Sequence, residues 1–359
     1  MPGPSAERVT LQTIADALGV SRTTVSNAYN RPNQLSDELR TRILATAGEL
    51  GYRGPDAAAR MLRTGRMGAI GLLFTEDLRF VFTDPDTTRF MRGVAETSAL
   101  SGTGLTMLPV PSGVEVADTA VASVAVDGYL VFSVDEGHPA LEWILRRDVP
   151  VVIVDAPDLG ETTSFVGIDD RAGAGAAARH LITLGHRRIG ILLARLTGGA
   201  APGPVTTHDI EQSAVRVARE RIAGYREALT DAGLEGDRLV MWEAGANDPD
   251  AGRRAATEML REHPDLTAVL CFTDQLAIGT AQAAQRMGRD VPDDLSIVGF
   301  DDVPRATTWE PSLTTIRQPL VDKGRAAADL LLQQIEHGGR GRIELPIELV
   351  VRDSTAPPS

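Results

Sequence analysis

The sequence has a single cysteine, Cys271, in 359 residues. One cysteine excludes an internal disulfide and suits a reducing compartment. It lies in the apolar run Ala268-Val-Leu-Cys-Phe272, the setting of a buried strand residue rather than a nucleophile. No run approaches the roughly eighteen apolar residues of a membrane span, so no membrane association is expected. Met1 to Glu7 has neither a basic start nor an apolar stretch, so no secretory signal is read and a cytoplasmic location is expected. Of the six histidines, among them His180, His186 and His263, none has the partner spacing of a zinc site or a triad. Gly173-Ala-Gly175 begins like a dinucleotide fingerprint, but no acid follows about twenty residues on to hold a ribose. A close-packed helix explains those glycines better. The sequence therefore predicts no catalytic residue, no metal and no cofactor.

What is present is unevenly distributed. Hydrophobic content of 43% and charged content of 24% are ordinary, but the formal net charge is −13. Spread evenly, that charge would repel nucleic acid. Residues 1–66, however, carry nine arginines against six acids, leaving +3 on this segment and −16 on the rest. A basic head on an acidic body concentrates phosphate attraction at one end.

That basic end contains Thr10-Leu-Gln-Thr-Ile-Ala-Asp-Ala-Leu-Gly-Val-Ser-Arg-Thr-Thr-Val-Ser-Asn-Ala-Tyr-Asn30. Leu11, Ile14, Ala15 and Leu18 fall at i, i+3, i+4 and i+7, one stripe of a short helix that Gly19 ends. Ser21 caps a second helix that points Val25, Ala28 and Tyr29 inward and leaves Arg22, Thr23, Ser26 and Asn27 outside. This spacing fits a helix-turn-helix, whose second helix enters the DNA major groove, and also an ordinary αα-hairpin. A third helix follows, capped by Ser36, with Leu39, Ile43, Ala47 and Leu50 on one face. Arg22 and Thr23 begin the second helix, the end that reaches base edges. Thr10, Ser21, Thr24, Ser26 and Asn30 suit phosphate contacts or helix caps, which position without specifying.

From Ala69 the pattern becomes strand–helix alternation. Strands are predicted at Ala69–Phe74, Gly104–Pro109, Gly128–Phe132, Val149–Asp155, Phe165–Ile168, His186–Leu193, Ala268–Thr273, Leu295–Phe300 and Ile347–Val351. Helices are predicted at Thr88–Leu100, Ala172–Leu184, Asp274–Met287 and about Val321–Ile335. Such alternation implies a doubly wound α/β body, with ligands beyond the C-terminal strand ends. Two halves of similar length, the first closing near 155–167, imply two lobes and a cleft. Asp155, Asp274 and Asp301 each end an apolar strand there, and Arg221 starts a helix beside the same edge. Carboxylates with an arginine suit hydroxyl-rich polar ligands. Phe82, Asp84 and Asp86 lie in a loop of the first lobe and are further candidates. Residues 195–218, rich in Gly, Pro and Thr, read as an extended, poorly packed insertion.

The motifs VTLQTIADALGVSRTTVSNAYN, then ELGY, then AARMLRTGR before AIGLLF resemble the lactose-repressor (LacI/GalR) family of bacterial transcription factors. So do Ala178–Gly190, Arg221–Tyr225, Phe272–Gly279, Val298–Asp302 and, most tellingly, Leu313–Pro319, so that the likeness covers nearly the whole chain. It implies an all-α helix-turn-helix headpiece at 8–55, a hinge at 56–66 and a two-lobed periplasmic-binding-protein-like core at 67–353. It implies that the chain crosses between lobes three times. It assigns operator choice to Arg22, Thr23 and Asn27, and to Leu62 a wedge in the minor groove. Here Gly54 adds a residue before Pro55, which loosens the hinge geometry. It assigns effector binding to Arg221, Asp274 and Asp301. Where many sugar-binding members stack an aromatic, this chain has Asn247, which weakens the case for a simple pyranose. The expected function is a repressor on a pseudo-palindromic double-stranded operator, controlled by a small polar effector, a sugar or related metabolite, bound between the two lobes. A homodimer is expected, because no leucine heptad follows Ser354 to form a larger bundle. A transport receptor without DNA activity and a nucleotide-dependent oxidoreductase are the rival readings. The headpiece and the absent export signal oppose the first, and the second requires cofactor absorbance.

Overall fold

The computed structural model describes residues 9–30, 32–52, 54, 61, 65–111, 115, 116, 120–196, 202–234 and 239–359. The chain divides into two compact units, Met1–Met67 and Gly68–Ser359.

The first unit holds three helices: α1 (Leu11–Leu18), α2 (Arg22–Asn30) and α3 (Asp37–Glu49). Thr10 caps α1, its hydroxyl accepting from Thr13 N while Thr13 reaches back to the Thr10 amide. Gly19 closes α1 at φ 67°, a conformation that side chains with a Cβ resist, and so turns the chain sharply into α2. Ile14, Ala15, Val25, Ala28, Ile43 and Ala47 form the small core, with Val20 and Tyr29 packed on it. Tyr29 and Tyr52 meet edge to face at 5.9 Å and fasten the end of α3 to α2.

The second unit holds two sheets. The strands are β1 (Ala69–Phe74), β2 (Gly104–Pro109), β3 (Tyr129–Phe132), β4 (Val151–Val154), β5 (Ser164–Ile168), β6 (Ile189–Leu193), β7 (Gly203–Pro204), β8 (Val240–Glu243), β9 (Ala268–Cys271), β10 (Ser296–Asp301), β11 (Thr314–Arg317), β12 (Arg342–Leu345) and β13 (Glu348–Val350). The first sheet runs β12-β5-β4-β3-β1-β2, and every pairing in it is parallel. The second runs β13-β11-β10-β9-β6-β8-β7, parallel except at its two antiparallel edges. Central strands such as β4 and β9 are buried at every position, which is why they read as unbroken apolar runs.

The chain passes between lobes after β5, after β11 and after β12. The first passage lies just past the 155–167 stretch where the first half was expected to close. The cause is pairing: β5 still adds to β4, with Ile153 opposite Phe165, and so belongs to the first lobe. The helix Leu320–His337 returns to the first lobe and crosses the helix Pro85–Ser101 at two glycines. A Cβ on Gly324 would lie 2.1 Å from Phe90 O, and one on Gly93 2.0 Å from Val321 O. Backbone therefore touches backbone there, and the helix is held hard against the sheet.

Two further expectations need correction. The 195–218 segment is not uniformly extended: outside 197–201, Pro204 pairs with Trp242, and Thr206 caps the helix Thr207–Glu211, burying Ile210. The core also does not end at 353. Ser354 is fully buried, donating to Ile297 O and accepting from Thr314 N, and Ala356 O accepts from His186 Nε2 at 2.8 Å.

Candidate nucleic-acid interface and ligand cavity

The sequence of α2 places a short apolar stripe inward and leaves its N-terminal face open. Ser21 caps it, its Oγ accepting from Thr24 N at 3.0 Å. Ser21, Arg22 and Thr23 are exposed, while Thr24, Ser26 and Asn27 are half-buried. Asn27 is partly committed, since its Nδ2 donates to Gln34 Oε1 at 3.2 Å. Thr10 is exposed at its cap, and Asn30 is the last residue of α2. Arg22 and Thr23 thus offer donors and a methyl at the end of the helix that meets base edges in this motif. Leu62, the expected wedge, lies outside the described residues.

A cavity of about 590 Å³ opens between the lobes of the second unit. Its first-lobe wall comes from the ends of β1 and β3 and from the helices Leu78–Thr83 and Pro85–Ser101; it includes Phe74, Phe80, Asp84, Asp86 and Phe132. Its second-lobe wall includes Arg195, Arg221, Asn247, Phe272, Thr273 and Asp301. Among the described residues, the non-glycine residues at positive φ are Ser133, Asp155, Asp301 and Asp302, each at the C-terminal end of β3, β4 or β10. Strained backbone is therefore gathered at the strand ends that border the cleft.

Bonds across the cleft draw the two walls together. Asn247 Nδ2 donates to Asp84 Oδ1 at 3.2 Å, and Thr273 Oγ1 donates to Asn247 Oδ1 at 2.6 Å. Arg89 donates to Asp302 O at 2.9 Å, and Arg219 pairs with Glu136 at 2.7 Å. Arg195 stands 3.6 Å from Glu76.

Charge in the cavity is lopsided: six acids line it (Glu76, Asp84, Asp86, Asp135, Asp248 and Asp301) against two arginines. Arg221 is already engaged, its Nε donating to Asp170 Oδ1 at 2.8 Å and its Nη1 to Phe272 O. Its guanidinium lies 3.5 Å from the Phe300 ring centroid. Asp301 is 2% exposed, and Gln318 Nε2 donates to its Oδ1 at 2.5 Å. Asp86 faces it from the opposite lobe within hydrogen-bonding reach. No donor among the described residues reaches Asp86 Oδ1 or Asp301 Oδ2. Two carboxyls can share a hydrogen bond only when one keeps its proton. Burial first, and then the charge of Asp301, push the Asp86 carboxyl well above the usual range, so the proton resides there. Burial also raises Asp84 and Asp301.

Of the candidates read from sequence, Arg221, Asn247, Asp301, Asp84 and Asp86 meet at this cavity. Three do not. Asp274 is fully buried behind the wall, with Oδ1 accepting from Thr315 Oγ1 at 2.6 Å and Oδ2 from Val303 N at 2.8 Å. It staples a helix start to β11, and no oxygen is left for a ligand. Asp155 is bound by Lys323 Nζ, 2.7 and 3.0 Å from its two oxygens, away from the cavity lining. Phe82 is 68% exposed on the outer side of its short helix, and Phe80 faces the cavity instead. Phe74, Phe80, Phe132 and Phe272 supply the aromatic walls absent at Asn247, so stacking surface comes mostly from the first lobe. Lys323 was legible as an oddity: it is the only lysine in the chain.

Comparison with known proteins identifies the two parts of the chain. Residues 10–54 match the family described as bacterial regulatory proteins, lacI family, and residues 178–355 match a periplasmic binding protein-like domain. The HTH-type transcriptional regulator Rv3575c of Mycobacterium tuberculosis is 42% identical over 354 residues, covering 98% of each chain. A solved transcriptional regulator CelR–cellobiose complex superimposes with a TM-score of 0.70 at 31% identity, over 97% of this chain and 100% of that one. The lac repressor dimer bound to operator and the anti-inducer ONPF superimposes with a TM-score of 0.78 at 26% identity, over 98% and 100%.

Proposed function

We propose, for a chain that belongs to the lacI family of bacterial regulatory proteins and is a transcriptional regulator rather than an enzyme, that it acts as a cytoplasmic homodimeric repressor released or retained by a neutral, hydroxyl-rich effector. Arg22 and Thr23 read base edges, Asn27 contributes beside them, and Thr10, Ser21, Thr24, Ser26 and Asn30 hold the phosphate backbone. Headpiece, hinge and core divide at 8–55, 56–66 and 67–353, the core extended by its C-terminal tail, and Leu62 is the hinge wedge. Two headpieces related by a two-fold axis require a pseudo-palindromic site.

The observation that carries the effector class is the charge of the cavity. Asp86 is protonated, but five further acids face two arginines, and Arg221 already satisfies Asp170. A phosphate or carboxylate entering there would meet repulsion, with Arg221 bound to Asp170 and Arg195 held beside Glu76. Asp86 Oδ1 and Asp301 Oδ2 are buried with no donor among the described residues, so when the lobes part a polyol can donate to the carbonyl oxygen of the protonated Asp86 and to the Asp301 carboxylate, from opposite lobes. Phenylalanine rings offer the apolar face that a sugar's C–H surface needs. Cellobiose in the CelR complex is a ligand of this class.

A thermal-shift screen of neutral sugars and polyols against their phosphate esters tests the proposal, followed by operator anisotropy with each hit. Neutral compounds should raise the unfolding midpoint and change operator affinity. Stabilisation by the esters alone would overturn the effector class.

A further inference from the structure

The lone lysine is buried at the point where the chain passes between the lobes. Lys323 is 1% exposed in the first turn of the helix Leu320–His337. Its ammonium has three donors and three acceptors: both oxygens of Asp155 at 2.7 and 3.0 Å, and Gln318 Oε1 at 2.7 Å. Gln318 is 5% exposed in the connection between β11 and that helix. Its other end, Nε2, donates to Asp301 Oδ1 at 2.5 Å. The amide fits only this way round, because an ammonium accepts nothing and a carboxylate donates nothing.

These four side chains form one line across the hinge. Asp155 ends β4 of the first lobe, and its carbonyl accepts from Arg216 of the second lobe at 3.0 Å. Asp301 ends β10 of the second lobe and lines the cavity. We infer that Lys323 is a positioning residue for the cavity: through Gln318 it holds Asp301 Oδ1 in the crossover and leaves the buried Oδ2 without a donor among the described residues, to meet a ligand when the lobes part. The inference rests on the proposed effector role of Asp301. It adds the route by which a ligand on that oxygen is mechanically tied to the opposite lobe. A change of lobe angle must stretch a Lys323–Gln318–Asp301 line of short bonds, so occupation of the cavity and the state of the crossover are linked. A buried ion pair between Lys323 and Asp155 that only supported the fold would need no such extension.

One lysine makes the test direct, because full-length protein labelled with [ε-13C]lysine gives one CεH2 resonance. No effector is needed, so failure here is separate from failure of the effector assignment. Asp301→Asn should move that resonance by more than its linewidth, and the same change in a Gln318→Met background should leave it in place. Gln318→Met keeps the Asp155 ion pair. If Asp301→Asn does not fold, Asp301→Glu takes its place. An unmoved resonance in the wild-type background would overturn the inference. So would an equal movement in both backgrounds, which would show that the effect bypasses Gln318.

Discussion

Asp86→Asn is the substitution whose outcome follows most directly from the cavity. The Asp86 carboxyl is enclosed on its Oδ1 side and faces Asp301, with Asp84 and Asp274 nearby. Burial, then those negative charges, raise it well above the usual range. Its unfolded counterpart loses its proton near the ordinary value of about 3.9. Between those two values the folded chain holds a proton that the unfolded chain has lost. Stability therefore falls as pH rises through that window, at up to about 1.4 kcal/mol per pH unit for one proton. Water entering the cavity would lower the folded value and so narrow the window, without changing that limiting slope. Asparagine keeps the shape and cannot titrate, so the variant should lose this part of the slope. The assay is urea unfolding of the full chain, followed by tryptophan fluorescence, at several pH values from about 5 to 8. The wild-type free energy should decline more steeply than that of Asp86→Asn, with the two curves converging at the acid end if the variant costs nothing else. Parallel curves would mean that Asp86 ionises like an ordinary carboxylate and that the shared-proton account is wrong.

Three further outcomes are expected. Arg22→Ala should weaken binding to the cognate operator about tenfold to a hundredfold and relax preference at one base pair per half-site; an equal loss on random DNA would make Arg22 a phosphate contact. Leu62→Ala should reduce both operator affinity and DNA bending, read by fluorescence transfer across a labelled operator, and unchanged bending would remove Leu62 from the minor groove. Gly324→Ala would put a methyl 2.1 Å from Phe90 O and force two helices apart, costing about 1–3 kcal/mol in denaturant unfolding; a variant of unchanged stability would show that this crossing gives way easily.

The fold was legible for many elements with one or both faces buried, although the largely buried β8 and β11 were not read as strands. Ala69–Phe74 and Val151–Val154 read as strands because every neighbour is apolar. Two-residue β7 has no room for a pattern, and β12 alternates exposed and half-buried residues at a sheet edge, so neither was visible. At the cavity, an acid at a strand end has the same local sequence whether it serves a ligand or a helix. Asp301 and Asp274 differ only in what the rest of the fold brings: one oxygen without a donor for Asp301, both oxygens filled for Asp274. Phe80 and Phe82 lie in the same short helix, and only the direction of its axis separates an inward ring from an outward one. Lys323 needed no structure to be noticed, but its partners are 168 and 5 residues away, and the first of those separations is invisible to any spacing rule.

The same lysine has a consequence for the outside of the molecule. With its one side-chain amine sealed inside, every other positive side chain apart from histidine is an arginine. Guanidinium groups stay charged at any physiological pH, and acyl donors that neutralise lysine leave them untouched. The attraction of the headpiece for phosphate is therefore beyond the reach of lysine acetylation, and salt remains the variable that sets it. Amine-directed dyes and cross-linkers will likewise find no side chain on the folded surface, so labelling of Lys323 would itself report that the crossover has opened.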